Sequence, residues 1–299
     1  MSNYHIPVML TECLEALNIS SNGLFVDVTF GGGGHSRALL SRLGAGGRLI
    51  AFDQDDDALA NVPDDPRFQL AHHNFRFLQR FLRYYDALPI DGLLADLGIS
   101  SHQIDEAERG FAHRFDAELD MRMNRDSDLS AYEWVNETEV PAMMRVFREY
   151  GELNNAPGIA KAIDSERAKA AIRTTGDLKL ALQRFAPRGK ENQFYSQVFQ
   201  AIRIEVNGEL DALKEMLTQC IDVIRPGGRL VVMSYHSLED RLVKNFIQTG
   251  DFSGKANKDL FGNLIRPFAP VGKAIKASDE EIAVNSRARS ARLRIAERI

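Results

Sequence analysis

Through residue 98 the chain alternates short apolar runs with stretches of helical spacing, and the first run ends in four consecutive glycines. "LFVDVTF" (24–30), "RLIAFD" (48–53), "RFQLAHHN" (67–74) and "DGLLADLG" (91–98) have the compact apolar character of strands. "HSRALLSRLG" (35–44), "DDDALANV" (55–62) and "FRFLQRFLRYYDAL" (75–88) separate them as helices, and "VMLTECLEALNI" (8–19) precedes the first. Strands that alternate with helices in this way pair in parallel through right-handed crossovers. The fold class is therefore α/β, with ligands expected at the carboxyl ends of the strands.

The alternation breaks after residue 104. Residues 105–195 are rich in charge and helix formers, with apolar residues three and four apart in "EVPAMMRVFREYG", "GIAKAI" and "TGDLKLALQRFA". This stretch is predicted to be a helical insert, so that residues 1–104 and 196–299 form one discontinuous domain around it. The second half of that domain is predicted as a long helix over 196–224 and a turn at "RPGG". The strand "RLVVMSYHS", the helix "LEDRLVKNFIQ" and a final strand "RLRIAERI" complete it.

Composition excludes several classes. No run approaches the ~18 uninterrupted apolar residues of a membrane helix, and "MSNYHIPVML" lacks the basic-then-apolar order of a signal peptide. Cys13 and Cys220 stand far apart without metal-ligand spacing, which points to a reducing cytoplasm and neither a disulfide frame nor structural zinc. A net charge of −5 argues against a protein that coats nucleic acid. Two segments are nonetheless basic: 161–190, and 273–299 with Arg287, Arg289, Arg292 and Arg294 close together. Such runs are either solvated faces or contacts to phosphate.

The glycine loop lacks the Lys of a triphosphate-binding loop, and Ser36 stands where the dinucleotide fingerprint has its third glycine. Asp53, twenty residues after Gly33 at the end of the second strand, suits the ribose hydroxyls of a nucleoside. NAD and S-adenosylmethionine both satisfy this pair, and so does a plain turn with a capping Asp. Asp96 ends the fourth strand, followed by Gly98 and the serines Ser100 and Ser101, and Tyr235 and His236 end the strand after "RPGG". In "SLED", Ser237 is predicted to cap the helix that follows.

These motifs together resemble the RsmH/MraW-type 16S rRNA (cytosine-N4)-methyltransferases. The matching stretches are "HIPVMLTE" (5–12), "DVTFGGGGHS" (27–36), "DLGISSHQID" (96–105), "ERGFAHRFDAELDMRM" (108–123), "FQAIRIEVNGEL" (199–210), "RPGGRL", "SYHSLEDR" and "NSRARSARLRIAER" (285–298). The resemblance covers nearly the whole chain. It implies a class I (Rossmann-like) S-adenosylmethionine-dependent methyltransferase core, with the insert helping to hold RNA. The target it implies is a cytosine in the decoding region of the small ribosomal subunit's 16S rRNA, and the chemistry calls for no metal. Donor contacts carry over to Gly33, Gly34, His35, Asp53, Phe75, Asp96 and Gln103. Asp96 and His236 are the expected catalytic pair, with Ser100, Ser101, Tyr235, Arg287 and Arg289 on the substrate side. His236 either touches the base or receives the released proton. The family's His and Arg before "FQA" are absent from "NQFYSQVFQA", leaving Arg188, Lys190 or Tyr195 to make any RNA contact there. An NAD-linked oxidoreductase and a non-catalytic RNA-binding or ribosome assembly factor are the two competing readings.

Overall fold

A computed structural model describes residues 7–299, so His5 and Ile6 of "HIPVMLTE" lie outside the described residues. The chain forms two compact units. One runs to Gly98 and resumes over Leu210–Ile299, and the other is Ile99–Glu209.

The first unit is built on a sheet of β1 (Leu24–Asp27), β2 (Arg48–Asp53), β3 (Phe68–His72), β4 (Ile90–Asp96), β5 (Ile224–Ser234), β6 (Phe268–Pro270), β7 (Ile275–Lys276) and β8 (Arg292–Arg298). Its order is β3-β2-β1-β4-β5-β8-β6, with β7 also on β8. The first five strands pair in parallel, and β8 runs antiparallel to β5, Val231 facing Ile295. Period-two alternation sends successive residues to opposite faces. Leu93, Ala95, Leu230 and Val232 enter one core, which also takes Leu78 and Leu82 of α3 (Leu78–Tyr84). Leu213 and Met216 of α10 (Glu209–Val223) and Val243 of α11 (Ser237–Thr249) fill the same side. Leu94, Val231 and Met233 enter the other, with Cys13 of α1 (Leu10–Ala16), Leu39 of α2 (Gly34–Leu40) and Ile282 of α12 (Asp279–Val284). Covering on both faces explains why these strands read as continuous apolar runs. The chain winds outward from β1 to β3, then returns to place β4 on β1's other side. The carboxyl ends of β1 and β4 thus flank the topological switch point, where open α/β sheets hold ligands.

The second unit is helical: α4 (Ser101–Asp105), α5 (Ala131–Glu137), α6 (Val140–Glu149), α7 (Ala156–Arg167), α8 (Thr175–Leu182) and α9 (Glu191–Asn207). Trp134, Phe147, Ile159, Leu178, Val198 and Ile202 lie in its core. Arg109, 1% exposed, donates to the carbonyls of Arg122 and Met123 and ties that loop together.

Several predicted boundaries move. The compact helical unit is wider than 105–195 because α9 packs on α5 and α6. The predicted helix 196–224 is two helices, broken where Gly208 takes φ 58°, a left-handed value suited to glycine. Residues 56–61 form a 3-10 turn, and β1 stops at Asp27, whose carboxylate accepts the N–H of Thr29. Tyr195 is buried in the helical core with its hydroxyl donating to the Lys179 carbonyl, so it is no surface contact. Arg188 and Lys190 are exposed.

Candidate active site

The glycines serve different ends. Gly31 and Gly33 adopt φ 49° and 71°, values that cost an L side chain energy. Gly34 lies against Pro7, whose Cγ would sit 2.3 Å from an added Cβ. Around Gly32 an added Cβ would meet nothing within 4 Å, so the loop keeps one open face. Asp53 fixes the loop from β2: its Oδ2 accepts the Gly31 N–H at 2.7 Å and its Oδ1 the Asp55 N–H at 2.9 Å. Asn61 donates to the Gly31 carbonyl, and Arg37 reaches the Gly32 carbonyl.

Three carboxylates gather at this edge, one at the end of each of β1, β2 and β4. Asp27 is 1% exposed and accepts the Ser36 hydroxyl at 2.7 Å. The Thr29 hydroxyl in turn accepts the Asp96 N–H at 2.7 Å, joining the β1 and β4 ends. Asp96 Oδ1 accepts the Tyr235 hydroxyl at 2.8 Å, and its Oδ2 lies 3.8 Å from His35 Nδ1. Burial raises Asp53 to about 6; the Asp55 and Gly31 N–H groups pull down, while Asp55 and Asp27 push up. Burial likewise raises Asp96 to about 6. His35 and Tyr235 oppose that rise, and Asp27 and Glu239 add to it. Tyr235 is pushed well above the ordinary phenol range, by burial first and then by Asp96.

The structure thus brings Asp53, Asp96, Tyr235, His35, Gly33 and Gly34 to one edge. His35 is turned inward: its Nε2 lies 3.1 Å from the Val8 carbonyl and its Nδ1 faces Asp96, so the ring ties the N-terminal segment to the loop. Phe75 begins the 3-10 turn after β3, half-buried against the core. Its neighbour Asn74 donates to Gln54, beside Asp53. Ser100, Ser101 and Gln103 belong to α4 of the helical unit. There Ser100 caps the helix, and its Oγ and Gln103 Oε1 accept each other's backbone N–H.

His236, not Ser237, caps α11: its Nδ1 accepts the Glu239 N–H at 3.4 Å. The imidazole outcompetes the expected serine because Glu239, 3% exposed, folds back on it with Oε1 3.2 Å from Nε2. Both ring nitrogens therefore face groups of α11 itself. Arg287 and Arg289 lie on the 3-10 turn before β8, Arg289 exposed. Arg294 departs from the phosphate-binding expectation, since it makes a bidentate pair with Asp240 at 2.6 and 3.0 Å, both side chains 18% exposed. Arg294→Gln is expected to lower stability by about 1.5–3 kcal/mol, as loss of charge-assisted hydrogen bonds does, with donor affinity unchanged. Thermal unfolding and calorimetry on one preparation check both.

Asp27, Thr29 and Glu239 escaped the sequence reading. Asp27 alone left a trace, a carboxylate inside the apolar run "LFVDVTF".

Among the described residues no helix is long and apolar enough to cross a membrane. The model of the MraW methylase family matches residues 2–299. A protein of Flavobacterium johnsoniae named ribosomal RNA small subunit methyltransferase H is 55% identical, covering 99% of this chain and 98% of its own. Its namesakes in Cytophaga hutchinsonii (55%, 99% of each chain) and Parabacteroides distasonis (54%, 100% of this chain and 98% of the other) agree. A switch-point glycine loop ringed by strand-end carboxylates, and a family match along nearly the whole length, converge: the chain belongs to the MraW methylase family and is an S-adenosylmethionine-dependent methyltransferase.

Proposed function

We propose that this enzyme methylates the N4 amino group of a cytosine in the decoding region of small-subunit rRNA, in the cytoplasm. The relatives' names support the rRNA substrate. The observation that carries the reading is the group of Asp27, Asp53 and Asp96 around a loop with an open face. Burial holds two of these carboxylates, Asp53 and Asp96, at about 6, and the charge of Asp27 adds to the rise of both. A cationic ligand relieves that repulsion, whereas the pyrophosphate of NAD adds to it.

S-adenosylmethionine, when bound, supplies an electrophilic methyl on a positively charged sulfur. The backbone around Gly32 would accommodate its methionine part, and the second lone pairs of Asp53 would take its ribose hydroxyls. Phe75 would wall its adenine. Cytosine N4 is a weak nucleophile because its lone pair is delocalised into the ring. Asp96 would accept an amino hydrogen and hold the nitrogen in line, and orientation of this kind contributes up to ~7–11 kcal/mol. Tyr235 fixes that carboxylate by its 2.8 Å hydrogen bond. Held at about 6, Asp96 is a stronger base than an ordinary aspartate and would take the proton that N4 releases. His236 supports this edge as a helix cap. The cytosine must be unstacked to reach it.

The electrostatic reading has a pH signature. Binding a cation favours the ionised carboxylates, so below pH about 6 it must expel protons from Asp53 and Asp96. Affinity for S-adenosylmethionine is expected to fall as pH drops from 7.5 to 5.5, and affinity for S-adenosylhomocysteine, which lacks the sulfonium charge, to fall less. A ratio of the two affinities that stays constant across that range would remove the carboxylates from the sulfonium's surroundings. The activity itself is tested with radiolabelled donor and small ribosomal subunits from cells lacking this gene, followed by mass spectrometry of nucleosides. N4-methylcytidine is the expected product. Binding of subunits without transfer to their rRNA would overturn this assignment of the substrate.

A further inference from the structure

The segment between α11 and β6 presents an unusual surface. Residues 257–265 fold into a turn that closes on itself: the Asp259 N–H donates to the Asn263 carbonyl, Gly262 N–H to the Asp259 carbonyl and Ile265 N–H to the Asn257 carbonyl. Asp259 braces it further, Oδ1 accepting the N–H groups of Phe261 (2.8 Å) and Asn263 (2.9 Å), and Oδ2 the Asn263 side chain. Gly262 takes φ 88°, which the turn requires. This framework holds Leu260 fully exposed and Phe261 90% exposed at the tip, with Leu264 and Ile265 exposed behind them. Soluble proteins rarely build an ordered turn to hold large apolar side chains in water unless something covers them.

The surrounding charge indicates what does. From Phe252 to Ala277 the chain carries Lys255, Lys258, Arg266, Lys273 and Lys276 against Asp259 alone, on a protein of net charge −5. All four lysines are exposed. The Asp259 carboxylate is bound into the turn, and those hydrogen bonds, the Asn263 side chain first, hold it below the usual carboxylate range. Apolar tips among cations suit a polyanion with accessible π-faces. Single-stranded RNA has both, whereas A-form duplex hides its base faces in the stack.

We propose that the 255–266 turn is a second RNA-contacting element, in which Phe261 stacks on an unpaired base of the rRNA substrate and Leu260 packs beside it while Lys255 and Lys258 contact its phosphates. This rests on the rRNA reading above and adds a docking point outside the methyl-transfer site.

The test compares wild type with a Leu260→Ser/Phe261→Ser double variant and a Lys255→Gln/Lys258→Gln variant. These side chains are exposed, and an unchanged melting temperature with unchanged S-adenosylmethionine affinity confirms folding. The apolar variant is expected to bind a short single-stranded oligoribonucleotide about tenfold more weakly, and a duplex of equal length as wild type does. Its KM for undermethylated small subunits should rise by a similar factor, with kcat little changed. The lysine variant should flatten the salt dependence by about 0.7 of a log–log unit per charge removed. A Phe261→Trp variant adds a direct readout, because the one natural tryptophan, Trp134, is buried: single-stranded RNA should quench the new fluorescence. If wild type methylates subunits and the apolar variant matches it in KM and oligonucleotide affinity, the proposal fails while the rRNA reading stands. If wild type transfers no methyl to subunit RNA, the reading fails and the proposal with it. Loss of self-association in sedimentation, or of binding to anionic phospholipid vesicles, with RNA affinity intact would assign the turn to a second copy or a lipid surface and overturn the proposal.

Discussion

Asp96→Asn is expected to lower methyl transfer by about 10²–10⁴-fold, the range in which a positioned acid–base group contributes. The substitution keeps the shape and the acceptor toward Tyr235, but it replaces the second carboxylate oxygen with an NH2 that repels the amino group to be held. It also removes the proposed base. In wild type, kcat/KM should rise with pH through about 6, where Asp96 loses its proton in the free enzyme, and level off above. For kcat the step should lie lower, since the sulfonium stabilises the carboxylate. The Asn variant should lack the Asp96 step. His236→Ala is the matched control: it removes a helix cap, costing about 0.5–2 kcal/mol of stability, and should leave the pH step in place. A step that survives Asp96→Asn and vanishes in His236→Ala would return the proton to the imidazole.

Asp53→Ala is expected to weaken S-adenosylmethionine binding by ten- to a hundredfold or more. Charge-assisted hydrogen bonds contribute roughly 1.5–3 kcal/mol each way, and this carboxylate has two tasks. It anchors the loop through the Gly31 and Asp55 N–H groups, and in the proposed complex its remaining lone pairs take the ribose hydroxyls. Asp53→Asn is no gentle alternative, because its amide NH2 would point at one of two backbone donors already in place. Calorimetry on folded variants decides: wild-type affinity in either would take Asp53 out of the site.

Much of this was legible in the chain because it is local. A strand-end carboxylate after an apolar run, or glycines between a strand and a helix, announce themselves in consecutive residues, and so Asp53, Asp96 and the loop could be placed at one edge. What escaped depends on partners distant in sequence or on the way a side chain turns within its own helix. Nothing near Arg294 announces Asp240, and nothing in "SLED" reveals that Glu239 would turn back and draw the cap to His236. By its sequence neighbours Asp27 is one more residue of a strand, because its tie to Ser36 appears only once the loop has closed. The break at Gly208 was available in the sequence. The continuous apolar spacing on either side masks it, because spacing carries no record of a glycine's left-handed φ.

The order of the strands has a consequence for how the molecule comes into being. β4 and β5 lie side by side at the centre of the sheet, yet all of Ile99–Glu209 separates them along the chain. During synthesis the half-sheet β3-β2-β1-β4 leaves the ribosome with an unpaired edge on β4, and it must wait while the whole helical unit is translated. The helical unit can collapse on contacts of short sequence separation, whereas the sheet is completed only by a pairing of very long separation, the slow kind. The nascent chain therefore carries an open strand edge of buried, apolar character, the type of edge that templates aggregation. Protection of that edge before β5 arrives becomes a requirement of the fold itself, set by where the insertion falls.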